Sequence, residues 1–441
     1  MSELPNSGIG VLIVGGAQGS LAVARSLGRR RIPVFCITHD TQLTRFSRYV
    51  TASVVWGGPD RPDAANELLE LGRRHHLEGY VLIPGGDSEV HLISQHHAKL
   101  ERTYKITTPE WNTARWALDK QLTYERCASL GIDHPWSRYP RDLADVVNTD
   151  FRFPVVLKPK IHSDNNAFTI AKAWRVNDRE TLLARCTQAL ALVGGNGTVL
   201  QEMIPGNGTA QYSYAALWDS GQPVAALIAR RTRQYPVEFG YSSTLVQTVT
   251  CDEVEQAAVR FLKSLDYSGL VEVEFKHDAR DQRYKLLDVN IRSWTWISLA
   301  AVAGVDFPYM LWQLANGETV MRGRGRAGVT WVYFSRDLIA ACLEVGRRRL
   351  SIMAYLKSFR GPKAFAVFAA DDPMPSIVEL PLLSWRLITR RLPLLLDEMQ
   401  SLILKWLASA DTRFSFGLRR PDSRLTQPSS GGARPNVKRS V

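Results

Sequence analysis

The chain is predicted to be an α/β protein in which a small parallel sheet precedes a larger α+β portion, and three observations carry that prediction. Apolar strand-like runs alternate with helical periodicity through the first third. Glycine-bearing turns follow the first and third of those runs. Between residues 270 and 292, two strand-like runs alternate apolar with polar residues across a short charged turn.

In order, Gly10-Val11-Leu12-Ile13-Val14-Gly15-Gly16 reads as a buried strand, 20–29 as a helix, 33–38 as a second strand, and 80–87 as a third strand closed by a turn. In an open parallel sheet the carboxyl ends of the strands form the binding crevice, so Gly15, Gly19, Asp40 and Asp87 are expected to border a substrate. The run Gly15-Gly16-Ala17-Gln18-Gly19 is close to a dinucleotide fingerprint. It lacks the full glycine spacing, however, and no acid closes the second strand before His39-Asp40. A helix over 122–130 and a hairpin-like region around Lys158 and Lys172 come next. Strands over 212–217 and 223–229 and a helix over 254–265 follow.

The most informative segment is the charged hairpin. Val271, Val273 and Phe275 face one way and Glu272 and Glu274 the other, while Asp288, Asn290 and Arg292 share a side of the second strand. Glu274, Asp288 and Asn290 would converge as hard oxygen ligands. That set suits Mg²⁺, whose octahedral coordination is usually completed by water and substrate phosphates. A solvated acidic hairpin face is the alternative at this point.

Composition fits a soluble globular protein: 441 residues, 45% hydrophobic and 22% charged. Five scattered cysteines without a Cys-x-x-Cys pair argue for reduced thiols and against a structural zinc site. No secretory apolar region precedes Gly8 and no uncharged stretch is long enough for a membrane span, so a cytoplasmic location is expected. A net charge of +12 spread along the chain suits acidic small substrates or anionic surfaces, and no nucleic-acid partner is expected. His91, His96 and His97 are expected at the surface, and Trp294 and Trp296 in the core.

Four motifs in one order resemble the ATP-grasp superfamily: Asp119-Lys120 at a helix start; Phe153 to Pro159 with Lys158; Val199 to Gly206; and Glu274-Phe275 followed by Asp288-Val289-Asn290. The resemblance covers roughly residues 8–320. It implies an ATP-grasp fold preceded by a small parallel-sheet, Rossmann-like domain over 1–115. The ATP-grasp domain would span 116–320, with a smaller half at 116–202 and a larger half at 203–320. A helical extension at 321–417 and a disordered tail at 418–441 would follow.

By the same resemblance ATP would lie between the halves with Mg²⁺, or Mn²⁺ in its place. Lys120 and Lys158 would orient its phosphates; Gln201, Glu202 and Ile204 would line the adenine slot; Glu274, Asp288 and Asn290 would hold the metal. Arg292 would stabilise an acyl-phosphate step, and Arg230 and Arg231 would hold a substrate carboxylate or the transferring phosphoryl group. Two departures stand out: Lys160 to Asn166 replaces the usual glycine-rich cover loop, and Asn207-Gly208-Thr209 lacks the acid that holds ribose in many relatives.

The motif order is most similar to the carboxylate–amine ligase branch, with the D-aspartate ligases as distant relatives. An ATP-dependent ligase joining a small-molecule carboxylate to an amine through an acyl phosphate is therefore expected. The alternatives are a carboxylase acting through carboxyphosphate and a non-catalytic nucleotide-binding assembly protein. An amphipathic stretch at 384–408 is compatible with peripheral contact at the inner membrane surface, with a homodimer, or with the protein's own core.

Overall fold

Val11–Val14 (β1), Val34–Thr38 (β2), Ala52–Val55 (β3), Val81–Pro84 (β4) and Lys105–Ile106 (β5) make the first sheet, all parallel, in the order β3-β2-β1-β4-β5. β1, β2 and β4 are buried along their whole length, which is why they read as unbroken apolar runs. Their side chains alternate between two cores: Val11, Ile13, Cys36 and Ile83 on one face, Leu12, Val14, Ile37 and Leu82 on the other. The computed structural model describes residues 8–39, 41–160, 166–171, 173–195, 197–206, 208–235 and 242–386. Residues 1–383 form one compact unit; a second unit, 384–441, lies outside the described residues apart from its first three.

The second sheet is antiparallel and built from short strands: Ser137–Arg138 (β6), Val155–Pro159 (β7), Trp174–Val176 (β8) and Thr198–Glu202 (β9), in the order β6-β9-β7-β8. The helix Arg179–Val193 covers it through Leu182, Cys186 and Ala189.

The third sheet has eight strands. Gln211–Asp219 (β10), Gln222–Tyr235 (β11), Ser242–Val249 (β12), Gly269–Asp278 (β13) and Arg283–Asn290 (β14) pair antiparallel in the order β14-β13-β10-β11-β12. Gly323–Arg324 (β15) pairs with β11, while Thr330–Val332 (β16) and Lys363–Phe365 (β17) extend the far edge beyond β12. This corrects the expected boundary at residue 320, because the larger sheet draws three strands from the region read as a helical extension. Strands of two or three residues are too short for alternation to register in a sequence. Helices do follow, at Phe334–Gly346, Ile352–Lys357 and Met374–Arg386.

One apolar core joins the first and third sheets, with Val11, Leu21 and Val81 packed in the same cluster as Leu227, Trp294, Phe307 and Trp331. The chain then returns to its start. Asp372 accepts hydrogen bonds from Arg25 Nε (2.8 Å), Ser47 Oγ (2.6 Å) and Arg48 N (2.9 Å), and Asp371 accepts two from Arg29 and one from the Tyr49 hydroxyl.

Candidate active site

The charged hairpin forms the floor of a cleft. Glu272 pairs with Asn290 and Glu274 with Asp288 across β13 and β14, and a bulge follows Glu274, so that Phe275 next pairs with Leu286. Plain alternation would place Leu286 on the same side as Asp288. The extra residue, Leu287, resets the strand: Leu286, Val289 and Ile291 enter the core, whereas Leu287, Asp288 and Asn290 line the cleft.

Cations oppose these acids from several elements. Asp119 caps the helix Lys120–Ser129 by accepting from Gln121 N (2.9 Å), and Lys120 Nζ donates to both oxygens of Asp288 (3.0 Å each). Burial disfavours the Lys120 charge, but Asp288 outweighs it and the ammonium titrates above its ordinary value. Lys158 rises from β7 and donates to Gln201 Oε1 on β9 (2.7 Å). With no carboxylate among the described residues bonded to it, burial and then the neighbouring Lys120 lower its pKa to about 8. Gln201 Nε2 donates to the Tyr124 hydroxyl (2.8 Å), which donates to Leu287 O (2.9 Å), linking the two walls.

The remaining groups close the ring. Arg292 Nε donates to Asp87 Oδ1 (2.6 Å) and its Nη2 to Asn290 Oδ1 (3.1 Å). Arg231 Nη2 lies 3.6 Å from Glu274 Oε2. Asn290 Nδ2 donates to Glu274 Oε1 (3.1 Å) and Glu272 Oε2 (3.3 Å). Lys276 Nζ donates to Ile204 O (2.8 Å) and Gly206 O (3.0 Å), tying the strand that carries Glu274 to the segment after β9. Glu202 accepts from Trp136 N (3.0 Å), Lys285 (3.1 Å) and Arg280 (2.7 Å), so it braces the hairpin while lining the cleft. The cleft holds about 320 Å³, a size suited to a small-molecule site.

Lys120, Lys158, Gln201, Glu202, Ile204, Arg231, Glu274, Asp288, Asn290 and Arg292 all line this cleft. Arg230 does not. It is exposed, donates to Thr209 O (2.7 Å) and stacks on Tyr212, because adjacent strand residues point to opposite faces and Arg231 takes the cleft side. Arg233 is engaged elsewhere, in an ion pair with buried Asp337. Asp87 lines the cleft, whereas Gly19 serves packing: a Cβ there would lie 2.7 Å from Ser293 O and 2.8 Å from Trp294 O. Trp294 and Trp296 are buried and also form part of the cleft wall. Asp40, Lys172, residues 161–165 of the cover loop, Asn207 and 387–441 lie outside the described residues.

Glu272 was missed as a site residue, although its alternation with Glu274 was visible. It is almost fully buried, accepts from Ser213 Oγ and Trp296 Nε1 (3.0 Å each), and burial followed by the nearby Glu274 raises its pKa to about 8. Lys276, on the same face, is lowered to about 8 by burial and then by Arg231.

Three sheets, with a cleft between the second and third in which acids face two lysines, make an ATP-grasp fold. Residues 198–336 match the family described as "ATP-grasp in the biosynthetic pathway with Ter operon". The similarity runs to the carboxylate–amine ligase branch: the chain is 24% identical over 311 residues to the D-aspartate ligase of Enterococcus faecium (strain Aus0004), covering 66% of this chain and 73% of that protein. The crystal structure of an L-amino acid ligase from Bacillus licheniformis shares the fold, with a TM-score of 0.53 at 13% identity over 70% of this chain and 75% of that one. So does the biotin carboxylase domain of Hydrogenobacter thermophilus 2-oxoglutarate carboxylase, solved with MgADP, ADP and bicarbonate. Its TM-score is 0.56 at 15% identity, over 72% of this chain and 73% of that one.

The donor set also fits a hard divalent cation. Glu274 and Asp288 would supply carboxylates from directly paired positions, and Asn290 a carboxamide oxygen once its amide turns from Arg292, to which Oδ1 is bonded. Among the described residues no group of three or more His, Cys, Asp or Glu side chains is arranged to hold a metal, and no helix is long and apolar enough to cross a membrane.

Proposed function

We propose that the protein is an ATP-dependent ligase that activates a small-molecule carboxylate as an acyl phosphate and passes the acyl group to an amine. The observation that carries this reading is the cleft itself, in which Glu274, Asp288 and Asn290 meet Lys120, Lys158, Arg231 and Arg292. Lys120 and Lys158 approach from separate elements and hold the triphosphate as two point charges. Adenine rests against the segment Gln201 to Ile204. Glu274, Asp288 and Asn290 would hold Mg²⁺ or Mn²⁺, which would supply charge neutralisation at the phosphates.

The carboxylate attacks the γ-phosphorus and ADP leaves; the amine then attacks the acyl carbon, phosphate leaves with the C–O bonding pair, and the amine loses its proton. Arg292 and Arg231 stand beside the acids and offset charge on the transferring group and the incoming carboxylate. Asp87 keeps Arg292 aimed at the cleft. Lys120 lies against Asp288 and Arg231 against Glu274, so the acids and the phosphates share these cations.

The test is Mg²⁺-dependent phosphate release from ATP by the full chain, screened against pools of amino acids, hydroxy acids and sugar acids with hydroxylamine as a trap. A hydroxamate formed from one pool supports the reading and identifies the acid. Phosphate release that needs only bicarbonate would replace it with carboxylation. ATP binding with no turnover in any pool would leave a nucleotide-binding protein.

A further inference from the structure

We propose that the segment 347–363 is a docking surface for an anionic phospholipid bilayer. Between Glu344 and Asp371 the chain contains no acid and six cations, Arg347, Arg348, Arg349, Lys357, Arg360 and Lys363. In their midst the helix Ile352–Lys357 turns aliphatic side chains to solvent: Ile352 is 66%, Met353 61% and Leu356 57% exposed. Burying such side chains inside the protein would stabilise it, so their exposure at one place calls for a partner.

The helix is firmly seated on its other face. Arg233, itself paired with buried Asp337, donates to Ser358 Oγ (3.1 Å) and stacks over Tyr355 at 4.9 Å, and the Ser351 hydroxyl caps the helix at Ala354 N (3.1 Å). Anchored there, it cannot rotate Ile352, Met353 and Leu356 inward. The neighbouring helix Phe334–Gly346 likewise leaves Phe334, Leu338 and Leu343 exposed.

Charge selects among the occupants. A second copy across a two-fold axis would bring the same cations face to face, which opposes association. Nucleic acid would satisfy the cations but gain nothing from the aliphatic side chains. A bilayer surface accepts both, with aliphatic groups at the acyl boundary and cations at the phosphates.

Flotation of the full chain with vesicles tests this. Binding is expected to phosphatidylglycerol-containing vesicles, at least tenfold weaker to phosphatidylcholine alone, and reduced by salt. The R347Q/R348Q/R349Q variant should lose about 100-fold in partitioning, at roughly fivefold per charge. The I352S/M353S/L356S variant should lose at least tenfold. Both should keep the wild-type melting temperature and ATP binding. The proposal is overturned if wild type does not bind anionic vesicles, binds neutral ones equally, or keeps its binding in both variants, which would place attachment elsewhere in the chain. A dimer or an RNA complex that forms through these residues in preference to vesicle binding would overturn it too.

Discussion

The two walls of the cleft are built in different ways. The eight-stranded wall carries Glu272, Glu274, Asp288 and Asn290 and shares its core with the parallel sheet of the N-terminal region. The four-stranded wall carries Lys158 and Gln201 over a separate core around Val155, Leu157, Phe168 and Leu200. Polar contacts join the walls: Tyr124 to Gln201 and Leu287, Lys276 to the carbonyls of Ile204 and Gly206, Glu202 to Lys285 and Arg280. The donor atoms that must keep their mutual geometry thus stand on the broader body. In the proposed reaction Lys158 would admit and release the nucleotide, and it stands on the smaller body, through a contact to Gln201 that water and phosphate can replace.

If the broad wall holds the reacting phosphate, Glu274→Gln and Asp288→Asn should each lower kcat by about 10³-fold, with the melting temperature little changed in Glu274→Gln and lowered in Asp288→Asn, which leaves buried Lys120 without its carboxylate. Wild-type turnover in both would break the assignment. On the smaller wall, Lys158→Met should weaken ATP by about 2 kcal/mol, roughly 30-fold in Kd by calorimetry, while kcat at saturation changes less.

The pH dependence sharpens the same contrast. The Lys158 pKa of about 8 lies below its unfolded value, so the group is charged below pH 8 and neutral above it. As pH rises through 8, ATP binding must recruit a proton, and the apparent Kd should climb by up to tenfold per pH unit. Lys158→Met should abolish that rise; an unchanged profile would assign it to another group.

Smaller effects follow at the margins. Asp87→Asn leaves Arg292 without its carboxylate partner and should reduce kcat about tenfold with Kd for ATP unaltered. A parallel loss of ATP affinity would mean that Asp87 acts on the nucleotide instead. Arg230→Ala, outside the cleft, should change kcat/KM less than twofold and stability by under about 1 kcal/mol. A loss as large as that of Arg231→Ala would reverse the facing of that strand.

How much of this was legible in the sequence follows from the kind of signal involved. The parallel strands and the charged hairpin could be read because burial on both faces leaves continuous apolar runs, and half-burial leaves alternation. Arg230 and Arg231 could not be separated, since adjacent arginines give no parity unless the flanking pattern sets which faces inward. The bulge at Leu287 was invisible, although it decides that Leu286 and Asp288 part company. Asp87 could be named as a crevice residue from its place after β4. Its pairing with Arg292, 205 residues away, is a tertiary fact that no local pattern encodes. The edge strands β15 to β17 were lost to their brevity.

The return of Asp371 and Asp372 to the first helix bears on how the protein can be dissected. Arg25 is 6% exposed, and Asp372 is the carboxylate bonded to it. Excising everything beyond residue 370 would strand a guanidinium in the interior at a penalty of about 3–5 kcal/mol, a large share of a domain's whole stability. The stretch that matches the family ends at 336, yet the smallest autonomous fragment must reach past Asp372. A fusion or expression boundary drawn at the end of the recognisable motifs would cut the clasp that holds the two ends of the fold together.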